Sequence, residues 1–304
     1  MISFRYHLVS IVAVFLALAV GIVVGTTALN GPVTTDLRKQ VNTLKGERAD
    51  LAKQVKTLQN QVDNAGQFAT TFGSQLVTGT LKDKSVLLIG LPGATTGTQD
   101  GIAAELTAAG ATITGHLQLA HDYVDQSGAS NLSSLVTGSL HPVGLTLPET
   151  SDARLLGAAT LAYVLLGSGQ PTDLKSVLSA FSASHLITSD PKGIEPAKMV
   201  VVVGTGTIAK DDYVGAAEVD LVNALQSKGG QVVVAGDTGS ALGGGVVALV
   251  RSSAAKAAVS TVDNANSAFG QVSTTLALAD AANSRVGHYG TAPGADALFP
   301  TPSG

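Results

Sequence analysis

The chain has no cysteine and no tryptophan, only two methionines, and aromatic residues fill just 4% of its 304 positions. Without thiols there is no disulfide, no Cys-based zinc site, no iron–sulfur cluster and no thiol nucleophile. An exported protein can simply avoid cysteine, so this says little about compartment. With methionine only at Met1 and Met199, the soft sulfur donors of a tight site for a soft metal ion are also missing. Aromatics are too few for the interfacial girdles of an outer-membrane barrel. Charge is scarce as well: 13% of residues are charged and the net charge is -4. With an isoelectric point near 5.8, there is no concentrated basic surface of the kind that tracks phosphates, and nucleic acid is not an expected partner. What remains is apolar. Hydrophobic residues make up 45% of the chain and the mean hydropathy is +0.32, rich for a purely soluble domain and poor for a multi-span transporter. The length suits one large domain or two small ones with an extension.

The strongest local signal is at the amino terminus. Between Arg5 and Asp36 there is no acidic or basic side chain apart from His7, and the run from Leu8 to Leu29 is built of Val, Leu, Ile and Ala. About 20 such residues, at roughly 1.5 Å rise each, cover a hydrocarbon core of about 30 Å. Residues 1–30 therefore read as a transmembrane anchor. Arg5 places the N-terminus in the cytoplasm by the positive-inside tendency and the body outside. A cleaved signal peptide is the alternative, with Thr26 and Ala28 as the small residues before a cut. Against it stand a minimal basic region and an apolar run longer than the usual 7–15 residues or so. Both readings export everything that follows. Asn30, Gly31 and Pro32 break the helix.

Residues 31–66 then read as a coiled-coil stalk. Leu37, Leu44, Leu51 and Leu58 occupy heptad position d, and Val41, Val55 and Val62 occupy a, with Arg48 in the skipped a position. β-Branched residues at a with Leu at d favour a parallel two-stranded coil. Two chains anchored in one membrane emerge parallel, so a homo-oligomer through residues 37–62 is the expectation. Packing of this stripe onto the chain's own body is the alternative. The seam is short, about 26 residues or roughly 39 Å, and Gly46 and Arg48 weaken its middle.

From residue 67 to 304 the pattern alternates short apolar runs with helical periodicity. Lys84–Leu91, Thr112–Leu119, Met199–Gly204, Gln231–Gly236 and Gly245–Val250 read as strands. Gln99–Ala109, Leu132–Leu140, Ala153–Leu166, Asp173–Ile187, Asp212–Ser227 and Gly270–Ala282 read as helices. Thr291–Gly304, rich in Pro, Gly and Ala, reads as a flexible tail. Near-continuous Val-rich strands between helices predict an α/β fold, a doubly wound and mostly parallel sheet covered on both faces. The apolar run at residues 155–166 is too short for a second span.

Few motifs carry chemistry. There is no G-x-S-x-G elbow, H-E-x-x-H pair or P-loop, and catalysis is not expected. Gly204-Thr-Gly206-Thr-Ile-Ala209 follows a strand and opens a helix, with Asp237 ending the next strand. That is the outline of a dinucleotide fingerprint. However, Asp211 and Asp212 would repel phosphate, and Asp237 stands further on than the usual ~20 residues. A plain turn is the alternative. Metal ligands would have to be histidines and carboxylates. His116 and His121 flank the end of one strand, and with His288 they could form a weak Cu(II)-type site. Scattered histidines without a shared site are the alternative.

The sequence MISFRYHLVSIVAVFLALAVGIVVG at residues 1–25, the heptads after it, the strand-like KSVLLIGLPG at 84–93 and the block STVDNANSAFGQVSTTLALADAANSRVGHYG at 260–290 resemble the MctB family of mycobacterial and actinobacterial copper transport proteins. The similarity runs in order over nearly the whole length. It is most specific in the first 25 residues, at Ser260–Asn264 and at Gly287–Gly290. The resemblance implies a role in copper efflux, homeostasis and resistance, with copper as a possible transported substrate and no tightly bound cofactor. It also implies an outer-membrane, pore-forming description and possible envelope protein partners. One helix cannot itself enclose a pore, so conduction would need an assembly of anchors or a conducting partner. A non-transporting envelope scaffold and a nucleotide- or sugar-binding module are the competing functions.

Overall fold

A computed structural model describes residues 4–30, 32–138, 140, 142–190, 192–206 and 212–301. Contacts divide the chain into two compact units, the division falling between Asn64 and Ala65. In the first unit, helix α1 (Phe4–Asn30) contains the stretch Phe4–Thr26, long and apolar enough to cross a membrane, with a mean hydropathy of 2.9 and no part covered by the protein. Helix α2 (Pro32–Val77) begins at a proline, whose fixed φ suits a first helical turn. It outlasts the expected stalk boundary at residue 66, and its last turns belong to the second unit. The heptad residues Leu37, Leu44, Leu51 and Leu58 are 56–62% exposed.

The second unit is an α/β sandwich. In chain order it comprises β1 (Ser85–Gly90), α3 (Thr96–Ala108), β2 (Thr112–Leu119), α4 (His121–Val124), α5 (Ala129–Gly138), α6 (Ala153–Leu165), α7 (Pro171–Ala183), β3 (Ile187–Ser189) and β4 (Met199–Gly204). There follow α8 (Asp212–Ser227), β5 (Gln231–Gly236), α9 (Val246–Ser252), β6 (Ser260–Val262), α10 (Ala268–Ala282) and β7 (His288–Tyr289). The strands form one sheet in the order β3-β2-β1-β4-β5-β6-β7, parallel throughout except for the antiparallel edge strand β3.

The Val-rich strands are apolar on both sides because both sides are covered. Leu87, Ile89, Val200, Val202, Val232 and Val234 point into one core, roofed by α5 to α9. Val86, Leu88, Val201, Val203, Val233 and Ala235 point into the other, closed by α3, α10 and Val77 of α2. Successive side chains of a strand face opposite ways, so each strand feeds the two cores alternately. The doubly wound, mostly parallel expectation describes this body.

Three local expectations need correction. The run Gly245–Val250 is a helix and not a strand. Val246, Val247, Val250 and Arg251 lie on one buried helical face, and the sheet position beside β5 is taken by β6. The helix expected over Asp173–Ile187 stops at Ala183, and His185 at φ 58 turns the chain into β3. The segment from Thr291, expected as a flexible tail, is fastened to the sheet. Gly290 N donates to Ala297 O at 3.0 Å, and Asp296 N donates to His288 O at 2.7 Å.

Ile89 lies fully buried in the middle of β1. Ile89→Ala is expected to lower the stability of the folded chain by about 2–5 kcal/mol, read as a shift in urea midpoint at unchanged slope. A loss below about 0.5 kcal/mol would mean that β1 is not central to the core.

Candidate functional site

In an open parallel sheet the usual ligand crevice lies beyond the carboxyl ends of the two strands where the order reverses. Here those strands are β1 and β4, ending at Gly90 and Gly204. On the β2 side of this point the carbonyls at the end of β1 are held by side-chain amides. Gln118 on β2 donates its Nε2 to the carbonyls of Gly90 (3.0 Å), Leu91 (2.8 Å) and Leu119 (3.1 Å). Its Oε1 accepts from Gln99 Nε2 of α3 at 3.0 Å. Glycine at position 90 leaves the space this pair fills, since a Cβ there would come within 2.2 Å of Gln118 Oε1. Beyond β4, a Cβ on Gly204 would meet Val246 Cγ1 at 2.6 Å.

The structure brings Gly204, Gly206 and Asp237 together and gives the carboxylate a task. Asp237 accepts from Thr205 Oγ1 at 2.8 Å, Gly206 N at 2.8 Å and Ser240 N at 2.9 Å. It clamps the loop after β4 to the turn after β5, and Gly206 takes φ +62 to reach it. A carboxylate holding three donors is a loop fastener with little capacity left for a ribose hydroxyl. Thr207, Ile208, Ala209 and Asp211 lie outside the described residues.

The three candidate histidines do not meet. His116 on β2 has Nδ1 3.7 Å from Asp190 Oδ2. His121, opening α4, has Nε2 3.8 Å from Asp125 Oδ2. His288 is on β7, five strand positions from β2, and at about 4.8 Å per strand that separates it from His116 by about 24 Å. The expectation that His288 joins the other two fails on sheet order. Among the described residues no group of three or more His, Asp or Glu side chains could hold a metal ion.

The densest buried polar cluster was not anticipated. Arg251, on α9, donates Nη1 to Asp263 Oδ2 at 2.8 Å, Nε to Thr261 Oγ1 at 2.9 Å and Nη2 to the Tyr289 carbonyl at 2.9 Å. Asp263 is fully buried and also accepts from the amides of Thr291 (2.7 Å) and Ala292 (3.2 Å). A Cβ on Gly290, at φ +130, would stand 2.1 Å from Asp263 Oδ1, so this position requires glycine. Thr261 Oγ1 accepts from Arg251 Nε and is also hydrogen-bonded to His288 Nδ1, 3.0 Å away. Burial holds the His288 pKa below its ordinary value, against the pull of Asp296, and the imidazole stays neutral. Every partner is paired, so the cluster ties β6, β7 and the chain end together. Both walls come from the stretches Ser260–Asn264 and Gly287–Gly290, where Thr261 pairs with His288 and Val262 with Tyr289.

A second buried group is unlike the first. Glu218 of α8 is 3% exposed and lies on the helix face of Val214, Ala217, Leu221, Val222 and Leu225. Burial raises its pKa from 4.5 to about 8, so the carboxyl is protonated at neutral pH. The sequence reading missed this residue, although its signal is there: an acid at helical spacing inside an apolar stripe.

These features define the class: an α/β body with a structural polar interior, carried on a chain whose first helix can span a membrane. The chain belongs to the MctB family, whose model, described as copper transport outer membrane protein, matches residues 1–300. It is 32% identical over 307 residues to the copper transporter MctB of Mycobacterium tuberculosis, covering 97% of this chain and 98% of that protein. It is equally similar to the protein of that name from Mycobacterium bovis. The Mycobacterium leprae copper transporter MctB is 30% identical over 316 residues, 98% of this chain and 99% of the relative.

Two outcomes follow from the buried groups. Asp263→Asn leaves a buried guanidinium without its counter-charge and is expected to cost about 3–5 kcal/mol, while Arg251→Met with Asp263→Leu together costs clearly less than the two singles summed. Urea denaturation of the wild type, Asp263→Asn, the two singles Arg251→Met and Asp263→Leu, and the double variant checks this. For Glu218 the folded pKa lies above the unfolded one, so its contribution is greatest below pH 4.5 and is lost as pH rises toward about 8. Relative to Glu218→Gln, the native chain is expected to lose about 3 kcal/mol between pH 5 and pH 8. Parallel pH profiles would refute the assignment.

Proposed function

We propose that this chain is a component of outward copper transport, anchored in the envelope by α1, with its α/β body outside the cytosol and copper as transient cargo. The observation that carries the reading is the match to copper transporters over nearly the whole chain, anchor included. The donor set supports cargo over resident cofactor: no cysteine, methionine only at Met1 and Met199, and no three-ligand cluster among the described residues. In this reading the chain is not an enzyme.

A path for an ion needs more than one helix, and α1 carries none of the intramembrane acidic groups that line most ion routes. We therefore read the working unit as several copies, joined through the exposed a and d residues between Leu37 and Val62, or as copies serving a conducting envelope partner. A non-transporting scaffold is the second reading, favoured by the complete pairing of the buried Arg251–Asp263 cluster, which leaves no open polar site there.

A strain lacking the protein is expected to be copper-sensitive and to hold more cell copper than its parent. The full-length chain should restore both, and Leu16→Arg, placing a charge mid-anchor, should not. Normal growth and normal copper load in the deletion strain would remove the transport reading.

A further inference from the structure

The part of α2 that belongs to the body has two unlike faces. Ala69, Gly73 and Val77 are buried, and the helix approaches α10 so closely at Gly73 that a Cβ there would be 2.5 Å from Val272 Cγ2. On the neighbouring face Phe68, Phe72 and Leu76 stand 57%, 44% and 54% exposed. The rings of Phe68 and Phe72 pack on each other with centroids 4.8 Å apart. Beside Leu76 opens a groove of about 300 Å³, lined by Leu76, Leu276, Ala279 and Pro300 together with Asp280 and Arg285. Exposed apolar side chains scattered singly would be unremarkable; contiguous on one helix face beside a groove, these three mark an interaction surface.

The heptad count says what covers it. Counting on from d at Leu58 and a at Val62, Phe72 is again d, Leu76 is a, and Phe68 is the flanking g. Ala69, the intervening a residue, faces the body, so the g and d side is the one left open. A ligand or unrelated protein has no reason to follow the phase of the stalk. A second parallel copy does, because its own α2 presents the same residues at the same heights. We infer that Phe68, Phe72 and Leu76 form an isologous contact between two copies of this chain, with apolar side chains of each copy seated against the groove beside Leu76 of the other. The inference rests on the stalk pairing proposed above and extends it into the α/β body.

The absence of native cysteine makes the test direct, since any thiol cross-link reports only the residue introduced. Full-length protein in its membrane would carry Leu44→Cys (d, stalk), Phe72→Cys (d, body), Leu76→Cys (a, body) or Thr71→Cys (c, turned away), and would be oxidised with diamide. Disulfide-linked dimer is expected for Leu44→Cys and for Phe72→Cys or Leu76→Cys, at about fivefold or more above Thr71→Cys. Cross-linking at Leu44 with neither body position above Thr71 would overturn the inference and leave the stalk pairing standing. No dimer at Leu44 would overturn both. Should Phe72→Cys fail to fold, as judged by its melting transition, Leu76→Cys alone decides.

Discussion

A parallel sheet that is covered on both faces has no side to give to water, and this constraint shapes the whole body. β1, β4 and β5 are apolar along their full length because alternate residues feed two cores, Leu87 and Val202 into one and Val86 and Val201 into the other. Once both faces are closed, a polar group that enters is costly unless it finds a partner inside. Gln118 satisfies the carbonyls at the end of β1, and Asp237 the amides after β4 and β5.

The same rule explains the far edge. β6 and β7 are three- and two-residue strands, too short to hold the edge by ladder bonds alone. Arg251 and Asp263 hold it instead, through carbonyls, amides and a hydroxyl that satisfy the charged groups. Gly290 has no side chain because Asp263 occupies the space. Two of the three stretches most specific in their resemblance to the MctB family supply Asp263, Thr261, His288 and Gly290 of this cluster, with Arg251 joining them from α9.

For a chain of a copper transport family, the chemistry on display is sparing. There is no thiol, and among the described residues no histidines gather with carboxylates into a group that could hold a metal ion. The long α2 helix carries an exposed apolar stripe.

Much of this was legible in the residues alone. The charge-free run after Arg5, the four-three alternation from Leu37 to Val62, and the Val-rich runs at 199–204 and 231–236 carry periodicities that local sterics and burial impose directly, so anchor, helix and parallel α/β class follow from them. Gly204, Gly206 and Asp237 were legible as neighbours, but not the three hydrogen bonds that occupy the acid. Sequence by itself did not place Val246–Ser252 in a helix, since a short apolar run fits strand and helix alike until a neighbouring strand claims the sheet position. Nor did it keep His288 apart from His116. Strand order is set by which cores the helices close, a sum of contacts between residues distant in the chain, and only the tertiary structure decides that sum.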